Sequence, residues 1–293
     1  MTGARSWWRN PWGRPRFLFL FTLVYLAWSI VPILVAVRFS FNDGRSRSTG
    51  QGWSTRWYWQ EPDLSVWNDP TLRDAVYQSV KLASLAMLIA VPLGVALAIG
   101  LTRWRGRGSG SARFVTLFPL VTPEIVMGTA LFLTFVHLFR FVELGTTAQL
   151  LGHVTFSISF VVIVVRGRLL SIGKEYEEAA MDLGASPFQA LRLALLPLLF
   201  PAIFASFMIV FAISIDDFVI SAFLSSDLST ETVPVKIYSN ARGAPTPALN
   251  ALASVMLFAS LLAVGLALVV VRLVQRGRGE RATAVEDFAQ LRV

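Results

Sequence analysis

The chain has 293 residues, 55% of them hydrophobic and 15% charged, with a mean hydropathy of +0.60. A soluble domain carries about 25% charged residues, so an ordinary soluble globular protein is excluded. The absence of cysteine excludes disulfides, thiolate zinc sites and cysteine nucleophiles, and the net charge of +8 sits in loops beside apolar runs, which argues against nucleic-acid binding.

Six apolar runs follow along the chain, most of them long enough to cross a hydrocarbon core of about 30 Å. The first, Phe17–Val37, comes after Arg5, Arg9, Arg14 and Arg16. It is too long for a signal peptide and lacks a small-residue cleavage site, so it reads as an uncleaved signal anchor. Next come Val80–Leu101, then Val115–Phe135 with Pro119 and Pro123 near its start. Leu151–Val165 is short; Leu193–Ile213 and Leu252–Val271 complete the set. The expected organisation is a basic N-terminus (1–16), a membrane domain (17–271) and a tail (272–293).

Lys and Arg residues number seventeen on one side of these runs and eight on the other. By the positive-inside rule, both termini are expected in the cytoplasm and the 38–75 loop outside. Trp53, Trp57, Trp59 and Trp67 of that loop suit an interfacial aromatic belt or an external contact. The basic stretch Arg105–Gly110 is glycine-rich and reads as a flexible topological loop.

Between the fourth and fifth runs lies a polar stretch, about 174–196, with the pattern of two short capped helices. Tyr176, Ala179, Ala180 and Leu183 recur at helical spacing on one face. Glu175, Glu177 and Glu178 sit early, where the helix dipole favours negative charge. Gly184 stands where a left-handed cap is expected. Ser186, Pro187 and Gln189 have the spacing of an N-cap, a first helical residue and a capping-box partner. Phe188, Leu191 and Leu195 then line one face into the fifth run. The small residues Ala179, Ala180, Gly184 and Ala185 allow another surface to approach closely; the alternative is a hairpin resting on lipid headgroups.

Glu178-Ala179-Ala180, then Gly184, then Leu196-Pro197 resembles the EAA signature of binding-protein-dependent ABC importer permeases. One position departs: Ala194 stands where the family has Ile. Further residues carry the resemblance toward the spermidine/putrescine permeases. They are Ser40-Phe41-Asn42, Thr122–Val126, Ser214–Ser221, Pro234–Ser239 and Asn250–Ala253. Permeases for iron, thiosulfate and phosphonates share much of this frame. The resemblance implies an all-α membrane protein of six transmembrane helices with the type I ABC importer permease fold. It implies a bacterial inner-membrane location and a coupling role for Glu178, Ala179, Ala180, Gly184, Ala185, Ser186 and Pro187. It also implies partners: a second permease forming a heterodimer, two cytoplasmic ATP-binding subunits and an extracytoplasmic substrate-binding protein. ATP and Mg would be bound by the partner ATPase, and no cofactor by this chain.

Carboxylates in or beside a membrane are costly and point to function. Glu124 lies in the third run, and Asp216 and Asp217 end the fifth. All three are candidates for a translocation pathway carrying a polycation. The alternatives are local. Glu124 would satisfy backbone freed by Pro123 or pair with Arg113 or Arg166, and the two aspartates would cap a short outer helix. Lys81 reads as a snorkelling residue. His137 and His153 read as interfacial histidines rather than metal ligands. No phosphate-binding Gly-x-x-x-x-Gly-Lys-Ser/Thr loop, metal spacing or catalytic constellation occurs, so the chain is expected to be a non-catalytic subunit. A stand-alone ion-coupled transporter would need visible internal repeats, and none is found.

Overall fold

A computed structural model describes residues 16–46, 49–104, 106–243 and 246–277. Most of the expected basic N-terminus, residues 278–293 of the tail, and Arg105 lie outside the described residues. Eleven α-helices are described: α1 Arg16–Ser40, α2 Pro70–Arg103, α3 Ser109–Val121, α4 Glu124–Leu133, α5 Thr146–Ile172, α6 Glu175–Asp182, α7 Pro187–Ala190, α8 Leu196–Asp216, α9 Val219–Leu224, α10 Val233–Gly243 and α11 Pro247–Gly277. Wide π-helical turns follow α4 (Thr134–Leu138), join α7 to α8 (Leu191–Leu195) and stand in the first loop (Arg56–Gln60). Among the described residues, extended pairing is limited to a single bridge between Asn42 and Trp53.

Among the described residues five helices are long and apolar enough to span a membrane, or six if one bent pair counts as a single span. The expected third span is therefore not one rod. Ser109–Val121 and Glu124–Leu138 meet at 107°. Pro123 has no amide hydrogen to donate and bars the preceding residue from helical geometry. Thr122 accordingly adopts φ −73°, ψ 128°. The fourth span also differs from expectation: α5 has 27 residues. It extends past both ends of the expected run: through Gln149, which is buried with hydrogen-bond partners, and through Arg166 and Arg168, the latter donating to the Leu198 carbonyl.

Helix α2 has 34 residues, about 51 Å at 1.5 Å per residue, more than the hydrocarbon core requires. Asp69 caps its start by accepting from the Thr71 amide at 2.8 Å, and Pro70 occupies the first turn. Helices α2, α5 and α8 pack on one another as the central trio. Ala86, Ala90, Gly94 and Ala98 give α2 a small-residue face toward α5. A Cβ on Gly94 would lie 2.6 Å from the Cβ of Val161, so only glycine permits this approach. Val161, Val165, Leu169, Leu195 and Leu199 continue this core. A second core, at the end of the first loop, gathers Trp57, Val66, Leu72, Val76, Val233 and Leu252. A third joins Phe135, Ala148, Phe156, Ile220 and Leu224. Helix α1 packs along α11, and its apolar side chains are otherwise exposed, as lipid contact requires.

Candidate functional site

The hairpin folds as its sequence directs. Helix α6 starts two residues after Gly173 and closes in a two-bond glycine cap. The Gly184 amide donates to Met181 O at 2.9 Å, and the Ala185 amide donates to Ala180 O at 3.1 Å. Gly184 itself has φ +90°. The next turn is held by a reciprocal capping box: Gln189 N donates to Ser186 Oγ at 3.3 Å, and Ser186 N donates to Gln189 Oε1 at 2.8 Å. Pro187 opens the helix, which passes through the π turn into α8 without a break.

The surface of this hairpin is uncovered among the described residues. Glu178, Ala179, Gly184, Ser186 and Pro187 are exposed, and Ala180 and Ala185 are half-buried. Tyr176 and Phe188 are exposed, and Leu183 retains 90% of its accessible surface. Leu195, by contrast, is buried in the central core, so the stripe Phe188–Leu191–Leu195 turns inward as it descends. Ala194, the departure from the signature, is half-buried in the π turn. One acid of α6 points back at the bundle: Glu177 forms an ion pair with Arg103, the last residue of α2.

The three membrane carboxylates occupy three different settings. Glu124 is the first residue of α4, at the bend rather than within a continuous span. It is exposed and makes no ion pair among the described residues. Arg113, proposed as its partner, instead donates to the carbonyls of Leu101 and Trp104. Asp216 lines a cavity of about 450 Å³ whose other walls include Ile215, Val233, Pro234, Ile237 and Met256. It is the only charged residue on that wall among the described residues. Asp217 lies elsewhere. Its carboxylate accepts from the Ser221 amide at 2.8 Å, which supports the capping alternative for α9, and it lies 3.3 Å from His153 Nε2.

His153 is thus not an interfacial histidine. It is 2% exposed, with Nδ1 2.6 Å from Ser214 Oγ and Nε2 3.0 Å from Ser221 Oγ. The polar seam continues along the same face of α5. Gln149 accepts from Gln78 at 2.8 Å and donates to the carbonyls of Ser221 and Thr230. Gln149, His153 and Ser157 are spaced by four residues, all buried. That spacing of polar residues along one face of a spanning helix was the signal available in the sequence. His137 is exposed in the π turn after α4, as an interfacial residue would be, and Lys81 is exposed on α2.

The first loop is an ordered shell over the same end of the bundle as Asp216 and Asp217. Trp57 is fully buried and donates to the Asn42 carbonyl at 2.6 Å. It belongs to the core rather than to an aromatic belt, while Trp53, Trp59 and Trp67 are exposed. The Asn42 side chain bridges the loop by donating to the carbonyls of Gly44 and Ser46. Glu61 pairs with Arg56 at 2.5 Å and Arg45 at 3.4 Å. The Arg56 hydrogen bond holds its carboxyl below the ordinary glutamate range.

Comparison with known proteins agrees with this geometry. Residues 90–278 match the family described as "binding-protein-dependent transport system inner membrane component". The chain is 36% identical over 254 residues to the putrescine transport system permease protein PotI of Escherichia coli (strain K12), covering 85% of this chain and 86% of that protein. It is 35% identical over 252 residues to the spermidine/putrescine transport system permease protein PotC of Haemophilus influenzae, covering 86% and 95%. Among solved structures, a bacterial ABC transporter that imports the acidic polysaccharide alginate matches with a TM-score of 0.68 at 15% identity, covering 93% of this chain and 99% of that one. The MetNI methionine ABC transporter, in inward-facing conformations, matches with a TM-score of 0.56 at 17% identity, covering 69% and 93%. These two likenesses carry the fold. With an all-helical multi-pass architecture, an uncovered capped hairpin and this sequence kinship, the chain belongs to the family of binding-protein-dependent transport system inner membrane components.

Proposed function

We propose that this chain is a membrane-spanning subunit of an ATP-driven importer of polyamines, of the spermidine and putrescine class. It forms half of the translocation pathway and receives motion from a cytoplasmic ATPase at the Glu178–Pro187 hairpin. The chain is not itself catalytic: ATP with Mg is bound and hydrolysed by two partner subunits. A second permease and an extracytoplasmic binding protein complete the assembly, and both termini of this chain are cytoplasmic.

The observation that carries this reading is the exposed hairpin. A left-handed glycine and a reciprocal cap fix its backbone, while its apolar tip at Leu183 has no cover among the described residues. Such a rigid, small-residue, apolar surface suits a protein groove better than bulk water. The cargo reading is supported by the names of the relatives and by Asp216. One carboxylate among apolar walls suits a cation carried on a methylene chain. The alginate importer shares the fold with a chemically opposite cargo, so the fold leaves the substrate open.

The test is ATP-dependent uptake of labelled putrescine and spermidine into proteoliposomes. They hold this chain, its partner permease, the ATPase and the binding protein. Uptake is expected to need all four and to be lost with Gly184→Asp. In Asp216→Asn, uptake is expected to fall about tenfold while stimulated hydrolysis persists. Hydrolysis stimulated by the binding protein without polyamine uptake would keep the importer and redirect the cargo to iron, thiosulfate or phosphonate. Normal ATPase capture by Gly184→Asp would remove the coupling role.

A further inference from the structure

We infer that the Arg103–Glu177 ion pair is the tie through which the hairpin moves α2, and that α2 carries this motion to the wall of the Asp216 cavity. This rests on the importer reading above. Glu177 lies in the first turn of α6 with Glu175 and Glu178, and all three satisfy the helix dipole equally well. Glu175 and Glu178 face outward; Glu177 turns in. Its side chain is 19% exposed and that of Arg103 is 26% exposed, so the pair is shielded on most sides. Elsewhere α6 leans on α7 and the π turn, its own neighbours in sequence. The ion pair therefore joins the hairpin to a helix distant in the chain.

Helix α2 is suited to transmit what it receives. It runs unbroken from Pro70 to Arg103 and is locked to α5 where Gly94 meets Val161. Two neighbouring residues near its far end hold the opposite side of the bundle. Ser79 Oγ accepts from the Val233 amide at 2.8 Å, a buried bond. The Gln78 amide donates to Gln149 and Thr146. Val233 starts α10, and Val233, Pro234 and Ile237 line the same cavity as Asp216. Arg103 and Ser79 are about 36 Å apart along the helix axis. A displacement at Glu177 thus reaches the cavity wall through one helix, continuous across Pro92, and two polar contacts. Arg103 and Glu177 are positioning residues that act through each other.

The experiment uses the complete complex in proteoliposomes with labelled putrescine. It compares Arg103→Glu, Glu177→Arg, the double reversal, and the neutral pair Arg103→Gln with Glu177→Gln. The readouts are ATPase co-purification, hydrolysis stimulated by the loaded binding protein, and putrescine taken up per ATP. Each single reversal and the neutral pair are expected to retain the ATPase and to lose about fivefold in uptake per ATP. The double reversal is expected to regain about half of the loss or more. A purely structural role would lower thermal stability without changing uptake per ATP. Wild-type uptake per ATP in the neutral pair overturns the tie even where the reversals fail to assemble. A loss that the double reversal does not regain overturns it too. If the wild-type complex shows no stimulated hydrolysis, the importer reading falls and the tie with it. Stimulation in wild type with intact coupling in the variants removes the tie alone.

Discussion

The imidazole of His153 and the carboxylate of Asp217 meet at 3.3 Å inside the helix bundle, with 1% and 6% of their side-chain surfaces exposed. The contact joins the middle of the polar seam on α5 to the corner between α8 and α9. It gives two adjacent acids different structural settings. Asp217 is spent on holding that corner, whereas Asp216 is left to the cavity.

Removing either partner of this contact leaves the other buried with fewer bonds. His153→Ala is expected to destabilise the protein by about 1–3 kcal/mol. Asp217→Asn is expected to do the same by a smaller amount, since an amide oxygen still accepts from the Ser221 amide. The double variant is expected to fall short of the sum by about 0.5–3 kcal/mol. Thermal unfolding in detergent measures all three; strict additivity would show the two residues to be independent.

Gly184 tests backbone against bulk. Nothing lies within 4 Å of a Cβ built there, so a Cβ has room, yet φ is +90°. A β-branched residue at such a φ costs about 1–2 kcal/mol, and Asn tolerates it best. Gly184→Val is expected to weaken ATPase capture about tenfold and Gly184→Asn distinctly less. Equal losses would mean that side-chain bulk against the partner decides, rather than the turn.

Gly94→Val tests the seam between α2 and α5. The new side chain would begin 2.6 Å from Val161 Cβ, where neither helix has room to give. A loss of about 1–3 kcal/mol is expected, read as a lowered melting temperature. Val161→Ala in the same chain is expected to recover part of it.

The first loop is expected to respond to acid. Its Glu61 carboxyl is held below the ordinary range by Arg56, so the stabilisation is present above the unfolded glutamate value of about 4.3. It is lost as pH falls through the lower folded value. Fluorescence of the loop tryptophans should therefore stay constant from neutral pH to about pH 4 and change below it. In Glu61→Gln the acid transition should be absent or displaced.

Local chemistry was the most legible part of the sequence. Gly184, Ser186, Pro187 and Gln189 each declare a turn geometry through residue type alone, and the hairpin has that geometry. The spans were legible as apolar runs, but their ends were not. The first turns of α2 are amphipathic rather than apolar, so Pro70–Ser79 carries no hydropathy signal. Helix α5 hides its length because Gln149 before the apolar run and Arg166 and Arg168 after it count as polar, while Gln78, the partner of Gln149, is distant in sequence. The bend at Pro123 was signalled by proline, but its angle depends on what packs around α3 and α4. The different settings of Asp216 and Asp217 follow from which side of a helix end each faces, and neighbouring letters do not show that.

The broken third span has a consequence for the chain in lipid. Its first half, α3, has 13 residues, about 20 Å, which is less than a hydrocarbon core. Thr122 is half-buried, and Pro123 and Glu124 at the corner are exposed in the isolated chain. A hydrocarbon phase offers no donor or acceptor to irregular backbone or to a carboxylate, so a corner at membrane depth is stable only against protein or water. Taken singly, this polypeptide is an incomplete solute for a bilayer: it leaves one polar corner to be covered by something other than acyl chains.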